Sequence, residues 1–270
     1  MKEKTMPTDK RLSQWLDLLK SHNADVRAQA ANAIVSMGPA AFPAVKQAFE
    51  KDSLSRYQSV KALSRVGPLA IPVVAELLDV DAGGHFHRQV IVALQAIGTD
   101  AIPCLVRLLS NADPEIRCHA AEALDKFGIA ARPALEQLVA LLGDDHQMTR
   151  WAAASALKHF GPEAKAAVPD LVRLFGQGDS FVTFEDTRGI LGTNDYEVAL
   201  KSIGAAGIPV MVEMLGANDP SVRKNACSAL VAMGSDAAVA IPALEALQTD
   251  SREAVRVEAA ECLKQVRAPQ

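Results

Sequence analysis

Aromatic side chains make up only 4% of this 270-residue sequence, although 49% of its residues are apolar. One thick core is therefore not its natural form, because alanine fills position after position and small side chains suit thin helices packed closely together. Cysteine is also sparse. Cys104, Cys118, Cys227 and Cys262 lie far apart with no C-x-x-C pair, so neither a zinc motif nor a secreted disulfide framework is written here, and all four are expected to act as small apolar residues. Long apolar runs are missing too. No segment approaches the ~18 uninterrupted apolar residues of a membrane span, and the opening "MKEKTMPTDK" carries no apolar stretch, so a cytoplasmic location and no membrane partner are expected. Finally, there is no basic excess. A net charge of −4 argues against nucleic acid held over a broad surface.

What the sequence does contain is repetition. Glycines recur at Gly38, Gly67, Gly98, Gly128, Gly161, Gly204 and Gly234, at spacings of 29, 31, 30, 33, 43 and 30. The dipeptide four to five residues earlier reads Ala33-Ile34, Ala62-Leu63, Ala93-Leu94, Ala123-Leu124, Ala156-Leu157, Ala199-Leu200 and Ala229-Leu230. Eleven residues before each glycine stand Arg27, Arg56, His87, Arg117, Arg150, Thr193 and Arg223, and an eighth unit without its glycine supplies Arg256. A proline follows each glycine by five or eight residues, from Pro43 to Pro242. Glycine past a helix end accepts the left-handed cap, and proline fits the first turn of the next helix. Between these marks apolar residues fall at helical spacing, as in "DPSVRKNACSALVAMG", whose Asp219-Pro220 start signals a helix N-terminus. Each unit is thus two short antiparallel helices. A pair cannot bury its own apolar face, so about eight stacked units predict an all-α, right-handed solenoid.

The motif D-P-x-[VI]-R-x-x-A-x-x-A-L-x-x-[MF]-G, with its following proline, resembles HEAT repeats, in particular the short HEAT-like repeats first associated with phycobilisome lyase subunits. The resemblance covers roughly residues 10–267, giving a tail over 1–9 and a single solenoid over 10–270. It implies that the second helices line a concave binding face. It also implies two functions: a non-enzymatic scaffold for a protein or peptide, or a bilin lyase/isomerase subunit acting on a phycobiliprotein. The recurring Arg27, Arg56, Arg117, Arg150, Arg223 and Arg256 are read as a structural ladder pairing with acidic or amide groups in adjacent turns.

Ten residues before the glycine, an outward position by helical phase, stand Ala28, Tyr57, Arg88, Cys118, Trp151, Asn194, Lys224 and Val257. Tyr57 and Trp151 are candidate partner anchors, since Trp, Tyr and Arg dominate binding hot spots. With Lys61, Arg88, His119 and Lys158 they make a mixed aromatic and basic groove suited to an acidic or extended peptide. The sixth repeat departs most from the register. From Leu215 to Gly234 the seventh takes 19 residues, but the matching Phe175 to Gly204 takes 29, so ten residues are inserted, at about 177–193. The second helix there starts late, at Asn194, with Glu197 completing a capping box. Phe181, Phe184, Arg188 and Tyr196 join the candidate partner-binding set, because functional residues concentrate on loops carried by rigid scaffolds.

Catalytic marks are sparse. Deoxyhypusine hydroxylases resemble this chain in architecture, yet they hold two irons through several His-Glu pairs, and no adjacent His-Glu occurs here. His119 and Glu122 share a face at i, i+3, one pair where a di-metal carboxylate site needs several. No cofactor, no metal and no catalytic residue are expected.

Overall fold

The computed structural model describes residues 8–51, 56–80, 84–176 and 195–267. Among them sixteen α-helices follow one another with no strand, in eight successive pairs. The pairs are α1 (Thr8–Leu18) with α2 (Ala24–Ser36), α3 (Phe42–Lys51) with α4 (Arg56–Ser64), α5 (Ile71–Glu76) with α6 (Gly84–Ile97), and α7 (Ile102–Leu108) with α8 (Pro114–Phe127). Next come α9 (Leu135–Ala140) with α10 (Gln147–Leu157), α11 (Val168–Gly176) with α12 (Asp195–Ile203), α13 (Ile208–Met214) with α14 (Pro220–Met233), and α15 (Ile241–Ala246) with α16 (Glu253–Val266). The fold is an all-α solenoid of two-helix repeats. Two compact units are distinguished, Met1–Leu124 and Asp125–Gln270, the division falling inside α8.

The repeated letters have repeated jobs. All seven aligned glycines have positive φ, between 53° and 108°, and among the described residues no other residue type does. At Gly98, φ 108° and ψ −163° lie where only glycine is comfortable. A Cβ there would meet nothing within 4 Å, so the requirement is purely one of backbone. The Ile or Leu four residues before each glycine, from Ile34 to Leu230, is fully buried. Each such side chain contributes about 1.5–3 kcal/mol by leaving water. Asn23 and Asp219 cap α2 and α14 by accepting the backbone N–H groups of Asp25 (2.9 Å) and Ser221 (2.8 Å), as the Asp219-Pro220 start predicts.

Within the first unit the second helices stack in order, α2 on α4 and α4 on α6; within the second unit α10 stacks on α12, α12 on α14 and α14 on α16. The run Pro220–Thr249 has the length and hydropathy of a membrane span, but Gly234 breaks it at φ 60° into two helices. Its apolar residues Ala226, Cys227, Ala229, Leu230 and Leu244 lie at 0% exposure in the packed interior. All four cysteines are buried. For Cys227 and Cys262, burial pushes the thiols up to about 12, so they pack as apolar residues, as expected from the sequence.

Candidate partner-binding face

The recurring arginine of the second helices reaches back to the turn that joins them to the first helices. Arg27 Nη1 donates to the carbonyls of Ser21 (2.7 Å) and His22 (3.0 Å), and Arg117 Nη1 to those of Asn111 (2.8 Å) and Ala112 (3.1 Å). Arg150 does the same to Asp144 and Asp145, Arg223 to Ala217 and Asn218, and Arg256 to Asp250. Arg56 Nε donates to Phe49 O at 2.6 Å. The expected acidic and amide partners occur at Arg223 and Arg27, but the recurring partners are backbone carbonyls. The paired carbonyls lie in the turn between the two helices, where no ladder supplies a donor, and a guanidinium satisfies two at once. Acidic pairing is added at Arg223, whose Nε and Nη2 meet Asp250 at 2.7 and 3.0 Å. Where the third repeat has histidine, His87 Nε2 lies 3.1 Å from Val80 O and keeps the same contact with one donor.

Of the residues expected to face a partner, three stand open. Tyr57 is 50% exposed with Lys61 Nζ 5.8 Å from its ring centroid, and Lys61 and Arg88 are exposed. Lys61 also lines a groove of about 150 Å³ between α2 and α4, with Arg27, Gln58, Arg65 and three alanines and no carboxylate among its described lining residues. Arg27 Nη2 bridges the two helices to Gln58 Oε1 at 3.4 Å. Helices α2, α4 and α6 carry Arg27, Arg56, Lys61 and Arg88 against the single acid Asp25. This face is cationic on an anionic chain.

The other expected residues are engaged. Lys158 Nζ pairs with Asp125 Oδ1 at 3.1 Å and also donates to Ser155 Oγ at 2.9 Å. His159 Nε2 lies 3.0 Å from the same carboxylate, whose side chain is 11% exposed. Burial pushes the Asp125 carboxyl up, but hydrogen bonds from Lys158, Lys126 and His159 and the charge of Lys158 outweigh it and hold the group below its ordinary value. Trp151 is half-buried, and its side chain favours the charged form of Asp195 at the start of α12. Burial raises the Asp195 carboxyl above its ordinary value, with the charge of Asp125 adding to it and Lys158 and Trp151 opposing. Trp151 and Lys158 thus tie neighbouring second helices of the second unit together.

Two residues require correction. Tyr196 is 0% exposed and belongs to the core, not to a partner surface. Its position, eight before the glycine, is occupied in other repeats by Ala30, Ser59, Val90, Ala120, Ala153 and Ala226, all buried. The repeat register contained that signal. Cys118, read as outward, is 5% exposed. His119 is partly buried, its Nδ1 lying 3.1 Å from Glu122 Oε2. Phe181, Phe184, Arg188 and Asn194 lie outside the described residues, and α12 begins at Asp195. Asp125 and Asp195 escaped the sequence reading because single acids on a helical surface carry no motif.

A family profile described as HEAT repeats matches residues 85–140 and 196–270. No curated protein matches the chain. Among solved structures, a chain from the structure titled for Kap95p binding to RanGDP aligns with a TM-score of 0.52 at 13% identity, over 98% of this chain and 40% of that one. An engineered protein aligns at 23% identity over 94% of this chain and 78% of its own, with a TM-score of 0.41. Human deoxyhypusine hydroxylase aligns at 19% identity over 96% of both chains, with a TM-score of 0.32.

Proposed function

The chain is a HEAT-repeat protein, and on that premise we propose that it is a non-enzymatic scaffold whose second-helix face binds an acidic protein segment or peptide. The observations that carry this reading are the exposed Tyr57, Lys61 and Arg88 and the groove of Arg27, Lys61 and Arg65, which has no carboxylate among its described lining residues. An aromatic ring among cations offers apolar area and charge together, which suits a segment of mixed acidic and apolar side chains. A rigid helical surface needs no tuned acid or base; it spares the partner part of its ordering cost. The edge carrying residues 177–193 extends the same proposal, since an insertion in an otherwise constant register is where recognition is placed at least cost to the stack.

Affinity capture from a lysate of the source organism tests it, with three baits: wild type, the double variant Lys61→Glu/Arg88→Glu, and a chain with 177–192 shortened to the turn of the seventh repeat. The reading expects a partner with an acidic segment that the charge-reversed bait loses. Loss with the shortened bait as well would assign the inserted segment to recognition. Captures unchanged by the charge reversal would sink the cationic face, and a bound pigment absorbing in the visible would favour the bilin lyase subunit instead.

A further inference from the structure

We propose that Cys118, His119 and Glu122 on α8 bind one divalent metal ion of the zinc class, with a coordination position left open for water or for a ligand from a partner. The sequence gives no metal motif, so the argument is geometric. Each residue offers one ligand atom, a thiol sulfur, an imidazole nitrogen and a carboxylate oxygen, and these three atoms all lie within 4.8 Å of one another. His119 Nδ1 and Glu122 Oε2 are already 3.1 Å apart. Zinc bonds of 2.0–2.3 Å in tetrahedral arrangement put ligand atoms about 3.3–3.8 Å apart. Side-chain rotation alone therefore brings the set onto an ion.

Helical phase explains why three near neighbours converge. At about 100° per residue, Glu122 projects about 40° from Cys118 and about 60° from His119, on the arc between them. Burial is graded across the arc. Cys118 is 5% exposed, the His119 side chain 19% and the Glu122 side chain 44%, so the sulfur forms the floor and the carboxylate the mouth. The donor set selects the ion. Thiolate with imidazole favours zinc over magnesium or calcium, which take oxygen, and three protein ligands leave one tetrahedral position vacant.

The register shows how particular the arrangement is. The same three offsets from the glycine carry Tyr57, Gln58 and Lys61 in the second repeat, Arg88, Gln89 and Val92 in the third, and Trp151, Ala152 and Ser155 in the fifth. Among the eight repeats the fourth alone places three ligand types there. The inference does not depend on the proposed acidic partner.

Titration of the full chain with Co(II) tests it. One equivalent is expected to bind with a sulfur-to-cobalt charge-transfer band and the intense visible bands of a four-coordinate ion, and Zn(II) should displace it. Cys118→Ser should abolish the charge-transfer band with the circular dichroism unchanged. His119→Ala and Glu122→Gln should each weaken Zn(II) binding by about tenfold or more, the scale on which even supporting residues matter. A band that persists in Cys118→Ser, or wild-type Zn(II) affinity no better than that of the Cys118→Ser/His119→Ala double variant, would overturn the site.

Discussion

At the scale of single residues, the backbone rather than the side chain fixes the glycines. Because φ at Gly98 is 108° and a Cβ would touch nothing within 4 Å, Gly98→Ala introduces no clash and isolates the conformational cost. That cost is about 1–3 kcal/mol, read as a shift of the denaturation midpoint without change in slope. The buried carboxylates make opposite predictions with pH. Asp125 is held below its ordinary value, so it stabilises the fold above the unfolded carboxylate range, and that contribution is lost as pH falls through its folded value. Asp195 is raised, so its contribution is present at low pH and lost as pH rises from the unfolded value through the folded one. Asp125→Asn should therefore lower the melting temperature near neutrality, whereas Asp195→Asn, which keeps an acceptor for Trp151, should raise it. Both differences should vanish in acid, where the wild-type carboxyls are themselves neutral. Melting curves across the carboxylate range decide both, and a destabilised Asp195→Asn would show that its charge is needed by the first turn of α12.

At the scale of elements, the ladder arginines act as clasps between the two helices of a repeat. Removing Arg117 leaves the carbonyls of Asn111 and Ala112 without their donor, and hydrogen bonds to a charged group are worth about 1.5–3 kcal/mol. Arg117→Lys should recover only part of the loss in Arg117→Ala, because an ammonium lacks the planar fork that reaches two carbonyls. Equal stability of the Lys variant and wild type would reduce the clasp to a simple charge effect. This is also where the sequence was most and least readable. The eight helix pairs and their punctuation were legible because the same steric requirement is met seven times over, at each glycine. The arginines' partners were legible only in part: Asp250 and Gln58 supply the acid and the amide expected, but a backbone carbonyl has no letter of its own. Tyr196 could have been assigned to the core by counting eight back from Gly204, but its aromatic character drew it to the surface set. Trp151 was legible as a position and illegible as a role, since its partner Asp195 lies across the inserted residues.

At the scale of the whole molecule, the distribution of charge matters more than its sum. A net −4 argues against a broadly basic surface, yet α2, α4 and α6 hold four cations to one acid, and the groove between α2 and α4 has no carboxylate among its described lining residues. Such a face attracts an acidic segment over a distance set by the ionic atmosphere, about 10 Å at 0.1 M salt. Association should therefore slow as salt is raised while dissociation changes little, the signature of electrostatic steering rather than of apolar anchoring. Stopped-flow binding of a fluorescent Glu-rich peptide, the simplest probe of that chemistry, measures both rates. Lys61→Glu and Arg88→Glu should each lower the association rate and flatten its salt dependence, while Tyr57→Ala should act mainly on dissociation, because its ring, 50% exposed, contributes contact area instead of charge. A salt-independent association rate in the wild type would mean that the cations serve the stack alone and that the partner, if acidic, binds elsewhere.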